Sequence, residues 1–353
     1  MPLLVCTSKN INSDRPFSGF WAAVPRPMAI LAPMEDVTDW VFRRMLGLLG
    51  KPDVFYTEFV QAAGIATGRS DSLRRLPLHQ GQRPIVAQIW GNDPEMVRVA
   101  VLKLRALGYD GVDLNMGCPQ HKITVKGCCA GLIRTPSLAQ ELVLAAQAGA
   151  SERGGTASLY PHIPVSVKTR ASFKHPPEQA GVESWFSAVL STKPAVFTVH
   201  GRSAEQQSEG SADWAWVKLA VSLRNQVSPA TLVCGNGDIT SRQDGLQRCQ
   251  STEADGFMVG RGLFANPQLF SGADFQTLSR KQKLSWALTH LNLYEDYWGI
   301  GRNYEVMKKF FKIYIQGFPD AEVFRERIMQ THDFFEARDI LVANGAVAFD
   351  VPV

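Results

Sequence analysis

A chain of 353 residues, 45% of them hydrophobic, is long enough for one large α/β barrel, which alone takes roughly 250 residues, plus a smaller domain. That composition excludes global disorder, and the lack of any run of about 18 apolar residues excludes a transmembrane helix. A net charge of +4 permits a polyanionic partner without requiring one.

Residues 1–24 carry Asn, Ser, Asp and Pro without a sustained period and read as an N-terminal arm. Met1 to Arg15 lack the basic segment and apolar core of a signal peptide, so a cytoplasmic protein without membrane contact is expected. Order is expected to begin near Pro27, inside a barrel spanning 25–268. There, eight short apolar runs end in polar, Gly or Pro residues: 28–33, 54–58, 85–89, 111–115, 165–168, 196–200, 232–236 and 257–260. Helical segments at 38–49, 94–107, 136–148, 185–190, 214–223 and 241–249 separate them, several opened by Pro or a capping Ser, Thr or Asp. Strand–helix units in that succession predict a parallel (β/α)8 TIM barrel rather than an open doubly wound sheet. Beyond Pro267 the period turns helical, at 278–297, 304–317 and 321–344, giving an all-helical C-terminal domain over 269–353.

The strand ends converge on one face. They carry Pro33-Met34-Glu35, Glu58, Gln88, Asn115 with Cys118, Lys168 with Arg170, His200-Gly201-Arg202, Asn236-Gly237-Asp238 and Gly260-Arg261-Gly262. Any one of these has an ordinary explanation: a solvated lysine, a histidine satisfied at the barrel mouth, a cysteine that merely packs. Polar or Gly/Pro residues at all eight ends point instead to function at the top face. The last two loops place side-chain-free backbone beside an arginine where such barrels bind phosphate. A flavin mononucleotide, FMN, fits the remainder. Gln88 could hydrogen-bond the ring edge, and Lys168 offers positive charge where a reduced ring turns negative. No Gly-x-Gly-x-x-Gly follows a strand, which argues for a nicotinamide that visits rather than stays.

Cys118 stands after the strand 111–115, in a Gly-Cys-Pro turn. A thiol with its ordinary pKa of about 8.5 is mostly protonated near neutrality and can serve as a general acid. Nucleophilic use would want a poised base, and His121 is the nearest histidine in sequence. Cys6, Cys118, Cys128, Cys129, Cys234 and Cys249 fit neither a disulfide framework nor zinc-ligand spacing, so reduced thiols and no metal are expected. Cys128 and Cys129 read as packing or loop thiols.

Taken together, these residues resemble the tRNA-dihydrouridine synthases, flavoenzymes that reduce specific uridines of tRNA to 5,6-dihydrouridine. The resemblance runs from about Ala32 to Arg327. It is carried by Ala32-Pro33-Met34-Glu35 with Thr38-Asp39, Asn115-Met116-Gly117-Cys118-Pro119, Lys168-Thr169-Arg170, Val199-His200-Gly201-Arg202, Asn236-Gly237-Asp238 and Gly260-Arg261-Gly262. It implies tightly bound FMN held by Pro33, Met34, Glu35, Gln88, Lys168, His200, Asn236, Gly237, Asp238, Gly260 and Arg261. Asn115 and Arg170 would face the uridine, and Cys118 would protonate C5 as reduced FMN delivers hydride to C6. NADPH, or NADH, would re-reduce the flavin. The tail segment containing Lys308, Lys309 and Lys312, followed by Gly317-Phe318-Pro319, is similar to the family's RNA-contacting helix and implies tRNA binding. A monomer is expected. Three departures stand out: Lys309 where His is commoner, Cys129 where Gly is usual, and Ser172 for a frequent Gly. Two other readings are an FMN barrel acting on a small pyrimidine and a non-catalytic RNA-binding relative.

Overall fold

β-Branched and aromatic residues concentrate in the eight apolar runs, and a pleated, buried surface suits them. The computed structural model describes residues 19–152, 162–299 and 303–351. In it every run is a strand: β1 Met28–Leu31, β2 Phe55–Gln61, β3 Ile85–Trp90, β4 Gly111–Met116, β5 Val165–Arg170, β6 Val196–His200, β7 Leu232–Asn236 and β8 Gly256–Val259. All pair in parallel, in the order β1-β8-β7-β6-β5-β4-β3-β2. The two end strands meet at the Ile30–Val54 bridge, where the Leu31 N–H donates to the Val54 carbonyl at 3.0 Å. The expected (β/α)8 barrel is thereby formed.

Among the described residues, six helices of ten or more residues follow barrel strands and pack outside them: α1 Trp40–Leu49, α2 Pro94–Ala106, α3 Pro136–Ser151, α4 Gln179–Leu190, α5 Ala215–Val227 and α6 Arg242–Thr252. Asp39, Asp93 and Ser241 cap α1, α2 and α6 by accepting from first-turn N–H groups. Helix α4 starts six residues before the expected 185. Its buried face, Val182, Trp185, Phe186 and Val189, already has helical spacing from Val182 onward.

Alternation along the strands divides outside from inside. Val112, Leu114 and Met116 of β4 join the large cluster under the helices, while Met28, Ile30, Tyr56, Val86, Cys234 and Met258 fill the barrel's lower interior. Trp21 completes that floor. It belongs to a single 3-10 turn, Gly19–Ala23, and is fully buried. Packing therefore begins ahead of Pro27; one indole in an aperiodic stretch leaves no periodic trace. Residues 1–18 of the expected arm lie outside the described residues.

After β8 the chain is helical: α7 Arg280–Trp298, α8 Glu305–Tyr314, α9 Ala321–Met329 and α10 Phe334–Ala343. The single helix expected over 321–344 is two, because Asp333 is a better N-cap than a mid-helix residue and accepts from the Glu336 N–H at 2.8 Å. The tail shares the barrel's core, since Phe42 of α1 stacks near Phe310 and His290 with centroids 5.3 and 6.2 Å apart. Burial pushes His290 down to about 3, so this ring stays neutral at physiological pH. No described helix is long and apolar enough to cross a membrane.

Trp21→Ala should destabilise the fold by about 3–5 kcal/mol, the usual cost of emptying a buried aromatic site. Urea denaturation checks this; a loss below about 1 kcal/mol, well under that range, would show that the indole does not support the floor.

Candidate active site

Carried to the strand ends, the inward parity gathers the site. Across the ladders Asn115 pairs with Lys168, Arg170 with His200, and His200 with Asn236. A cavity of about 500 Å3 opens above them. Its walls include Pro33 and Met34 from the β1 loop, Lys168 and Arg170 from β5, and His200 and Asn236 from β6 and β7. Gly237, Asp238, Gly260 and Arg261 complete it from the last two loops.

Those two loops touch backbone to backbone. A Cβ on Gly262 would lie 2.2 Å from the Ile239 carbonyl, and one on Gly237, at φ +124°, would lie 2.5 Å from the Ala212 side chain. Only glycine permits either approach. Asp238 ties the loop after β7 to the loop after β6: its carboxylate accepts from Arg202 Nη2 at 2.7 and 2.8 Å and from the Ala212 N–H at 2.7 Å. Burial alone would raise Asp238, but these donors keep it below the usual carboxylate range. Arg202, nearly fully buried, also reaches His200 Nε2 at 3.3 Å.

The charges suit an anion. Burial, with Arg170 adding, pushes Lys168 down to about 8, which leaves it largely protonated at neutral pH. Burial and the same cations drive His200 well below its ordinary value, so it is neutral. Arg261 is exposed and only 3.6 Å from an Asp238 that Arg202 already engages. Lys168, Arg170 and Arg261 thus line a cavity whose one carboxylate, Asp238, is already committed, and a phosphate-bearing group fits the donors present.

Beside this cavity stands the Cys118 turn, braced from below. Asn115 Oδ1 accepts from the Gly117 and Cys118 N–H groups at 3.0 and 2.9 Å, and its Nδ2 donates to Gln88 Oε1 at 2.9 Å. Gln88 Nε2 donates to Asp113 Oδ2 at 2.7 Å, and Ser166 Oγ to Asp113 Oδ1 at 2.6 Å. Arg170 Nε donates to the Gly117 carbonyl at 2.8 Å, while its Nη1 ties down the Ser203 and Gln207 carbonyls. Gln88 and Asn115, expected beside cofactor and uridine, therefore have both ends of their amides engaged in the brace. Burial raises Asp113 to about 6 against the pull of Ser166 and Gln88.

The Cys118 thiol is half-buried and held down at about 7, first by a hydrogen bond from the Cys129 thiol, with the Gln120 N–H and Arg170 adding and burial opposing. Cys129 takes φ +52°, a left-handed conformation that glycine adopts most readily. Cys128 turns instead toward the Lys126 carbonyl.

Glu35 sits apart from the first cavity, ion-paired with Arg75 and lining a second one. Glu58 accepts the Asp36 N–H at 2.8 Å and is raised to about 7 by burial and neighbouring Asp39. In the tail, Lys308 pairs with Glu305 at 2.7 Å, Lys309 donates to the Asp36 carbonyl, and Lys312 is exposed. Arg202, Asp113 and Ser166 were assigned no role from the sequence. Counting back two from Asn115 and Lys168 would have found the last two.

Residues 30–347 match the family model described as dihydrouridine synthase. A Staphylococcus epidermidis protein named probable tRNA-dihydrouridine synthase is 37% identical over 325 residues, covering 91% of this chain and 95% of its own. A Bacillus subtilis protein named probable tRNA-dihydrouridine synthase 2 is 38% identical with the same coverage. Among solved structures, a 2-naphthoyl-CoA reductase complex superimposes with a TM-score of 0.50 at 8% identity, over 69% of this chain and 49% of its own, a likeness of fold. With the family model spanning nearly the whole barrel and tail, the chain belongs to the dihydrouridine synthases, an oxidoreductase family.

Proposed function

We propose that the protein reduces uridine in tRNA to 5,6-dihydrouridine, with FMN in the cavity over β5 to β8, NADPH as reductant and Cys118 as the proton donor to C5. The observation that carries this reading is the Cys118 turn, fixed by Asn115 and Arg170 at the edge of a cationic cavity. The names of the curated relatives support tRNA as the substrate. FMN, when bound, supplies the hydride chemistry. Lys168 and Arg261, with the backbone of the Gly237 and Gly260 loops, would hold it.

The chain's own part in the reaction is to orient and protonate. Asn115 fixes the Gly117 and Cys118 amides, so the thiol is presented from a rigid turn. With Cys118 at about 7, roughly half the thiol population is protonated at neutral pH, and its partial exposure lets solvent restore the proton. Residues 25–268 would form the catalytic unit and 269–353 the RNA-binding one. Lys312 is the tail lysine best placed for phosphate, and Lys309 ties α8 to the β1 loop. The enzyme would work as a cytoplasmic monomer.

Two predictions follow from Cys118. Cys118→Ala should keep FMN and be bleached by NADPH at near wild-type rate, while dihydrouridine formation falls by about 10²–10⁴. Flavin absorbance and nucleoside mass analysis read the two steps; wild-type conversion by the variant would remove Cys118 from the mechanism. The second concerns pH. A hydrogen bond from Cys129 favours the thiolate and lowers the pKa, so Cys129→Ala should raise it toward the ordinary thiol value of about 8.5. The alkylation rate of Cys118 should then have its midpoint near 7 in the wild type and higher in the variant. Since a general acid acts protonated, the fall of dihydrouridine formation with rising pH should move the same way. An unmoved midpoint would show that Cys129 does not set the thiol's acidity.

A further inference from the structure

A second cavity, of about 530 Å3, opens beside the Cys118 turn toward β2 and β3, outside the proposed cofactor site. Trp90, half-buried at the end of β3, forms part of its wall. It lies one residue beyond the Ile89–Leu114 pair that aligns β3 with β4. Trp90 and Cys118 pack against the same small cluster of Ile123, Cys128 and Cys129, so indole and thiol are neighbours across it. A partly exposed indole at a strand end is a platform on which any base can stack.

The charges around it are unevenly committed. Arg75 is held by Glu35 and Asp36, whereas Arg69, Lys122 and Lys126 are exposed, and among the described residues no ion pair engages them. With Glu35, Asp36 and Asp71 set against Arg69, Arg75, Lys122 and Lys126, the wall carries one positive charge in excess. Asn92 Nδ2 donates to the Lys126 carbonyl at 2.8 Å, fixing the loop that bears both lysines just past the end of β3. Aromatic surface, exposed cations and a floor shared with the reactive thiol together make a site for single-stranded nucleic acid.

We propose that this cavity seats the nucleotide next to the target uridine, its base stacked on Trp90 and its phosphate met by Lys122 and Lys126. The strand would then run past Gln120 to the Cys118 turn. The proposal rests on the tRNA reading above. Stacking reads no base edge, so the subsite selects an unpaired neighbour rather than a particular base.

The test measures binding of an unmodified tRNA transcript to FMN-loaded full-length protein. Trp90→Ala should weaken affinity by roughly 10-fold or more, and Trp90→Phe should restore most of it. Lys122→Ala with Lys126→Ala, both exposed and safe for folding, should flatten the slope of log affinity against log salt by about 1.4. Flavin reduction by NADPH should be unchanged in all three. Wild-type tRNA affinity in Trp90→Ala would overturn the proposal. So would slower reduction by NADPH at unaltered tRNA affinity, which would give the cavity to the reductant. Because binding is read directly, a protein that makes no dihydrouridine counts against the proposed function, while a Trp90 effect on affinity still supports the subsite.

Discussion

Everything at the barrel mouth depends on how the amide of Asn115 is held. Its oxygen accepts two backbone N–H groups of the Cys118 turn, and its nitrogen is anchored through Gln88 to Asp113 and Ser166 inside the barrel. The side chains of Asn115, Gln88, Asp113 and Ser166 are all buried, so each lost partner leaves a polar atom without water to replace it, at a cost of about 1–3 kcal/mol. Every link of this chain has its partner, which stiffens it. It converts strand register, set by the whole barrel, into the position of one sulfur.

Arg170 applies the same logic from the other side. Its guanidinium reaches three carbonyls, on the Cys118 turn and on the loop after β6, and so locks two neighbouring loops to β5. A lysine could not do this with one ammonium, because the fork spans separate acceptors. Cys129 adds a second thiol to the turn. Its left-handed backbone costs roughly 1–2 kcal/mol relative to glycine, and in exchange a second thiol meets the first.

Much of this was legible beforehand. The eight strands announce themselves through short apolar runs, and the glycines of the last two loops mark where backbone must approach backbone. Cys118 was recognisable from its Gly-Cys-Pro turn. What stayed hidden has physical reasons. Trp21 packs by shape, not by period. Asp113 and Ser166 look like breaks in apolar strands until the inward parity is followed down from Asn115 and Lys168. Lys308 and Lys309 read as free charge, but their partners, Glu305 and the Asp36 carbonyl, depend on helix phase and on a contact 273 residues away. The division at Gln330 to Asp333 hinges on a cap, which competes locally with helix continuation.

The central claim is that this barrel holds a flavin against a fixed thiol in order to reduce uridine in tRNA. An anaerobic single turnover tests it most directly: FMN-loaded protein is reduced with stoichiometric NADPH and mixed with unmodified tRNA. The account predicts that flavin absorbance returns as one dihydrouridine forms per flavin. A flavin that stays reduced, or that is reoxidised without dihydrouridine appearing, would contradict it.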